Sequence, residues 1–144
     1  MREDDIAQIA QIESLCFDVP WSAGAFAGEL KNPNAHYFVA CDGPVVAGYG
    51  GFWNVAGEGH IMNIALRPNF QGQGWGNKLL LRMIDEAKKQ KLLFLTLEVR
   101  ASNEPAKALY KKLGFSLCGV RKGYYAPSGE DALIMTKTLE AENE

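Results

Sequence analysis

The sequence predicts an α/β fold in which one sheet is flanked by helices, and three observations carry that prediction. Apolar residues at helical spacing alternate along the chain with runs at strand spacing. No repeat, low-complexity tract or linker interrupts them. The hexapeptide Gln71-Gly72-Gln73-Gly74-Trp75-Gly76 joins a strand-like run to a helix-like one. A length of 144 residues suits one core, and 47% apolar with 22% charged residues describes an ordinary folded chain, so residues 1–144 are expected to form a single domain.

Asp4 or Asp5 is placed to cap a first helix in which Ile6, Ile9, Ile12, Glu13 and Cys16 recur at helical spacing. Pro20 ends it. Ser22 is the N-cap expected for a second helix through about Leu30, with Phe26 and Leu30 as its buried stripe, and Asn32-Pro33-Asn34 stops that helix. The period then changes to two. Tyr37–Cys41 and Val45–Trp53 flank the turn Asp42-Gly43 and read as a hairpin, whose tandem glycines mark a bulge or close packing. His60–Leu66 is a third strand, and Asn77–Lys89 a helix with Leu80, Met83, Ile84 and Ala87 facing inward. Leu92–Val99 is almost continuously apolar, the pattern of a central strand covered on both faces. Ser102-Asn103-Glu104-Pro105 opens a helix carrying Ala108, Leu109 and Leu113, which Gly114 terminates. Phe115–Val120 and Ala132–Leu139 make a final antiparallel pair around the loop Gly123–Gly129.

Composition excludes several classes. A net charge of -2 gives no footprint for direct nucleic-acid binding. Lys78, Arg82, Lys88, Lys89 and Lys91 bring local positive charge near the glycine loop, which reads first as a solvated helix face. Cys16, Cys41 and Cys118 are too few and too dispersed for a disulfide scaffold, and His36 and His60 have no matching ligand cluster, so no metal is expected. No apolar run is long enough to span a bilayer, and the acidic start Met1-Arg2-Glu3-Asp4-Asp5 is unlike an export signal. The expectation is a cytoplasmic protein, with a monomer as the default and no membrane partner.

Glycines at the 71–76 junction permit positive φ and close backbone approach, and the first amides of the helix that follows lack intrahelical acceptors. With the helix dipole this makes a cradle for a phosphate or pyrophosphate. A Walker A loop needs a lysine and a hydroxyl after its last glycine, whereas Gly76 is followed by Asn77. A dinucleotide fold is the nearer rival, because Glu98 lies downstream at a strand end. Glycines at 72, 74 and 76 miss the G-x-G-x-x-G spacing, however, and Arg67 to Gln71 separate them from the strand.

Asn63-Ile64-Ala65-Leu66-Arg67-Pro68, followed by the 71–76 loop, resembles the acetyl-coenzyme A binding motif of the GNAT family of N-acetyltransferases, whose loop reads Arg/Gln-x-x-Gly-x-Gly/Ala. Leu97-Glu98-Val99-Arg100-Ala101-Ser102-Asn103, Ala108-Leu109-Tyr110, Gly114-Phe115, Tyr124-Tyr125 and Pro20-Trp21-Ser22 extend the likeness over roughly Asp4 to Thr138. Together they resemble the bacterial members that acetylate the N-terminal alanine of a small-subunit ribosomal protein. The resemblance implies a mixed, mostly antiparallel sheet with splayed central strands, and acetyl-coenzyme A as cosubstrate. It implies a pyrophosphate on the amides of Gln73, Gly74, Gly76 and Asn77, with Gln71, Gly72 and Trp75 completing the loop. Pantetheine would extend between His60–Leu66 and Leu92–Val99, along Ile64, Ala65 and Leu66. A bulge near Asn63 would part the strands, and the amide of Ala65 or a neighbour would face the thioester oxygen. Family members usually begin with a short strand, whereas this chain enters a helix almost at once. The first edge strand is therefore expected to be missing.

The resemblance also assigns roles. Glu98 is the expected base, acting through a water, with its pKa raised by burial among Leu95, Leu97 and Val99; read from composition alone it is a strand-end acid paired with Arg100 or facing solvent. Tyr110 is the expected acid for the departing thiolate, or else a core aromatic between Leu109 and Leu113. Asn103 would bind the cofactor, or simply cap its helix. Trp21, Asn63, Glu98 and Tyr124 are the expected acceptor-side residues, with Glu98 and Asp18 giving the groove an acidic character suited to a basic peptide. Tyr124 and Tyr125 could equally pack on each other, and His60 could be a strand-face residue or a minor proton relay. Three other functions stay open: acetylation of a lysine or small amine, a non-catalytic coenzyme A sensor, and a nucleotide-dependent oxidoreductase.

Overall fold

A computed structural model describes residues 1–17, 19–125 and 127–139 and places six strands in one sheet of order β1-β2-β3-β4-β6-β5. The strands are β1 (Ala35–Asp42), β2 (Val45–Val55), β3 (Glu58–Leu66), β4 (Phe94–Arg100), β5 (Ser116–Tyr125) and β6 (Glu130–Thr138). Every neighbouring pair is antiparallel except β3 with β4. The helices are α1 (Ile6–Cys16), α2 (Ala23–Lys31), α3 (Trp75–Lys89) and α4 (Glu104–Lys112). Among the described residues no strand precedes α1, and β1 is the sheet edge.

The sheet separates two cores. On one face, Leu79, Leu80, Met83, Ile84 and Ala87 of α3 recur at helical spacing and pack with Tyr110 of α4 against Phe52, Leu95, Leu97 and Val99. On the other, Ile6, Ile9 and Ile12 of α1 and Phe26 of α2 pack against Val46, Tyr49 and Ala65. The tandem glycines of β2 serve this two-sided packing. A Cβ on Gly50 would lie 2.7 Å from the Met83 sulfur on the α3 face, and one on Gly51 would lie 2.3 Å from the Tyr37 ring on the other. No helix among the described residues is long and apolar enough to cross a membrane.

Several local expectations shift. Asp5 does not cap α1 through its side chain; residues Glu3–Asp5 form a 3-10 turn, and the Asp5 carboxylate accepts from the Arg2 N–H at 2.8 Å. Ser22 does cap α2, accepting from the Ala25 N–H at 3.1 Å. The buried partner of Phe26 is Glu29 instead of Leu30, because the Glu29 carboxylate accepts from the Tyr37 hydroxyl and the Trp53 indole, each at 2.7 Å. In β4 burial alternates: Leu95, Leu97 and Val99 enter the α3 core, while Thr96, Glu98 and Arg100 on the opposite face are half-buried. Glu98 is therefore not among the three apolar side chains that flank it in sequence. Tyr124 and Tyr125 end strand β5 instead of lying in a loop.

The glycine contacts predict opposite signs for two alanine substitutions. Gly51→Ala should destabilise by about 1–3 kcal/mol through its clash with Tyr37. Gly28→Ala, inside α2 with no neighbour within 4 Å, should stabilise by up to about 1 kcal/mol. Urea unfolding of both variants beside the parent checks the pair.

Candidate active site

Strands β3 and β4 pair only at Glu58 with Phe94, Gly59 with Leu95 and His60 with Thr96, and then part. A bulge lies where they part: Gly51 pairs with Asn63 and Phe52 with Ile61, so Met62 has no partner in β2. Such an insertion bends its strand and adds twist. It also changes which face the residues beyond it present. Ile61 enters the α3 core, whereas Asn63 donates to Glu13 of α1 and Ala65 packs in the α1 core.

The parted strands frame a cleft of about 340 Å³. Of the residues singled out from sequence, it brings together Asn63, Ile64, Glu98, Asn103 and Tyr110, with Trp21 and Tyr124 at its walls. Ala65, Leu66 and the 71–77 loop lie outside its lining, farther along toward the start of α3. Asp18 lies outside the described residues. His60 sits where β3 and β4 are still paired, 3.9 Å from the Glu58 carboxylate and away from the cleft.

Tyr110 and Glu98 reach the cleft from opposite faces of the sheet. Tyr110 is buried in the α3 core, 5.8 Å from the Phe115 ring, and burial, reinforced by Tyr125, pushes its phenol well above the ordinary value. Glu98 is 30% exposed, with Arg121 Nε 3.9 Å from its carboxylate. Arg100 also lines the cleft, its guanidinium 4.3 Å from the centre of the Tyr125 ring and 3.3 Å from Glu130. Charge there is consequently mixed instead of acidic. Burial, then Glu98, pushes Tyr125 up to about 12.

The backbone of β3 presents donors to the gap. Arg67 N–H donates to the Ala47 carbonyl at 2.8 Å, and antiparallel pairs alternate between bonded and open. Two residues back, Ala65 therefore directs its N–H to Tyr49 in β2, and Ile64 and Leu66 direct theirs to the gap. At the loop, Gly72 and Gly74 hold φ values of +76° and +88°. Lys78 N–H donates to the Gly74 carbonyl at 3.2 Å, so the N–H groups of Trp75, Gly76 and Asn77 precede the first intrahelical bond. A Cβ on Gly76 would lie 3.3 Å from Leu109, and Asn77 Oδ1 is buried without a partner. Gln71 and Gln73 turn their side-chain amides back onto the Leu66 and Asn69 carbonyls, at 3.2 and 2.9 Å. These groups fit an extended ligand that is anionic at one end and carries amides along its length. Asn103 Oδ1 is engaged as the α4 cap, accepting from the Ala106 N–H at 3.2 Å.

Sequence reasoning missed Glu13 as a site residue. It is buried, and its carboxylate accepts from the Tyr49 hydroxyl, from the Trp21 N–H at 3.0 Å and from Asn63 Nδ2 at 3.4 Å. Asn63 Oδ1 is buried with no partner, which costs about 1–3 kcal/mol while it stays so. Only the presence of a glutamate within an isoleucine stripe signalled this network.

Residues 6–115 match the family model described as Acetyltransferase (GNAT) family. A Bacillus subtilis (strain 168) protein, named provisionally as a ribosomal protein bS18-alanine N-acetyltransferase, is 44% identical over 96% of this chain and 93% of its own length. The ribosomal protein bS18-alanine N-acetyltransferase of Escherichia coli (strain K12) is 37% identical over 94% of this chain and 92% of its own. The crystal structure of the ribosomal-protein-S18-alanine N-acetyltransferase from Escherichia coli superposes with a TM-score of 0.88 at 35% identity, covering 100% of this chain and 95% of that one. The chain belongs to the GNAT acetyltransferases, enzymes that use acetyl-coenzyme A as cosubstrate.

Proposed function

We propose that this protein transfers the acetyl group of acetyl-coenzyme A to the N-terminal α-amine of the small-subunit ribosomal protein bS18, with alanine as the first residue. The observation that carries this reading is the gap between β3 and β4, flanked by a carboxylate from one face and a phenol from the other. The names of relatives that span nearly the whole chain support the acceptor.

Acetyl-coenzyme A supplies an activated acetyl thioester. The open amides of Trp75, Gly76 and Asn77 and the positive φ of Gly72 and Gly74 suit its pyrophosphate, with Gln71 and Gln73 bracing the loop. Ile64 and Leu66 offer their N–H groups to pantetheine and to the charge that develops on the thioester oxygen; Ala65, turned to β2, does not. Asn103 offers its free amide Nδ2. Glu98 takes one proton from the amine, through a water, as the amine nitrogen bonds to the acetyl carbon. Tyr110 gives its hydroxyl proton to the coenzyme A sulfur as the carbon–sulfur bond breaks. Trp21 and Tyr124 wall the peptide side, joined by Tyr125. The reaction takes place in the cytoplasm, on a single chain.

Incubation with acetyl-coenzyme A, the Ala-started bS18 peptide and a blocked peptide carrying an internal lysine, followed by fragment mass analysis, should place one acetyl group on the α-amine. Labelling confined to lysine would sink the N-terminal reading. In steady-state assays of thiol release, Glu98→Gln should lower kcat/KM, and Tyr110→Phe kcat, by about 10²-fold or more.

The pH profile follows from the two groups. Only the neutral amine attacks, so the rate should climb toward the α-amine pKa of about 8. A raised phenol pKa extends the protonated form of Tyr110 to higher pH, so Tyr110 should impose no alkaline fall below about pH 10. A fall that begins lower and vanishes in Tyr110→Phe would contradict the raised phenol while keeping Tyr110 as the acid; a rate unchanged in Tyr110→Phe would contradict the assignment itself.

A further inference from the structure

Asn63 is 92% buried by its 8% exposure, lines the cleft, and has an amide with two unlike ends. Its Nδ2 donates to the Glu13 carboxylate at 3.4 Å, while its Oδ1 is enclosed without a donor. Burial makes that orphaned acceptor a site in want of an N–H or O–H, since buried polar atoms in native proteins are nearly always paired. Donation to a carboxylate also polarises the amide and strengthens Oδ1 as an acceptor. The bulge at Met62 turns Asn63 to the α1 face, the same face from which Glu98 enters, and opposite to that of Tyr110.

We propose that Asn63 Oδ1 accepts a hydrogen bond from the N-terminal amino group of the acceptor peptide, and that Glu13 is the positioning residue that holds Asn63 in that orientation. The inference rests on the N-terminal acetyltransferase reading. A neutral primary amine carries two N–H bonds and one lone pair. Held by one N–H on Asn63 and giving the other proton toward Glu98, it turns its lone pair to the gap between β3 and β4. Glu13 couples this to the wall of the groove, because the same carboxylate accepts from the Trp21 N–H. Its third donor, the Tyr49 hydroxyl, fixes it to β2. A glutamine at position 13 would present an amide NH2 to one of these donors and release the Asn63 orientation.

The test compares the Ala-started peptide with its desamino analogue, in which a propionyl group replaces alanine, each titrated calorimetrically onto protein saturated with coenzyme A. The parent should bind the amino peptide about tenfold or more tighter than the analogue, the range of one hydrogen bond to a charged or strongly polar group. In Asn63→Ala that ratio should fall to within about threefold of unity, with the KM for acetyl-coenzyme A unchanged within about twofold. Glu13→Gln should lower the same ratio, which a merely structural loss would not, because both peptides would weaken together. Asn63→Ser carries the comparison if Asn63→Ala does not fold. A ratio that survives in the variants overturns the inference while leaving the acetyltransferase reading intact. A parent that neither acetylates nor binds the Ala-started peptide overturns both.

Discussion

The extra residue at Met62 is the constraint on which the rest of the site depends. A strand presents alternate residues to alternate faces, so one insertion reverses every assignment beyond it. With Ile61 in the α3 core, an unbulged β3 would send Asn63 into that core beside Leu80 and Met83, where its amide would find no carboxylate. The bulge sends it to Glu13 instead and gives Ala65 to the α1 core. Pairing with β4 stops at His60, one residue before the strand changes face. The N–H groups of Ile64 and Leu66 are left directed at open space. One irregularity thus positions a side chain on one face and lies where the sheet opens between β3 and β4.

Glu13 is the price of that arrangement and its brace. A carboxylate buried in an isoleucine stripe would be strongly destabilising if its oxygens were unmatched. Three donors from β2, β3 and the segment after α1 match them, so the helix, the bulge and the groove wall are fixed to one another through a single group. Burial and this hydrogen bond push the Tyr49 phenol well above its ordinary range, which keeps it a donor at every working pH. Arg67 makes a second tie at the far end of β3, donating to the Val46 carbonyl at 2.7 Å and to Gln8 and Gln11 of α1 at 3.0 and 2.8 Å. Between these two anchors β3 pairs with β2 and is free of β4, while Ile64 packs against the α3 core.

What the sequence discloses and what it hides divide along local and non-local causes. The hairpin turn, which falls at Gly43-Pro44 with Asp42 ending β1, the Ser22 cap, the α3 stripe and the positive φ of Gly74 and Gly114 are written in adjacent residues, and the elements fall within a residue or so of where those residues place them. The apolar run Leu92–Val99 misleads because it conceals an alternation: Leu93 is outside the strand and 62% exposed, and Glu98 shares a face with Thr96 and Arg100. The Phe26 and Leu30 stripe misleads because Tyr37 and Trp53, distant in sequence, offer Glu29 two donors. Glu13, Tyr49 and Asn63 meet across 36 and 50 residues of chain, so no window of periodicity contains their relation.

Glu98 is only loosely held by its ion partner. Arg121 stands 3.9 Å from it, but the side chains are 57% and 30% exposed, so the pair is worth roughly 0–1 kcal/mol. The strand that carries Arg121 is loosely registered there, since β5 loses its pairing with β6 between Arg121 and Tyr125. Tyr124, half exposed, lies within this unpaired stretch with Arg121 5.6 Å from its ring. Tyr125 is anchored instead, by the Arg100 guanidinium that Glu130 holds in turn. The cleft wall therefore has a firmly tied half at Tyr125 and a loosely tied half at Tyr124. Under the proposed mechanism, displacing Arg121 would free the Glu98 carboxylate, while Asn63 on the opposite strand stays tied to Glu13.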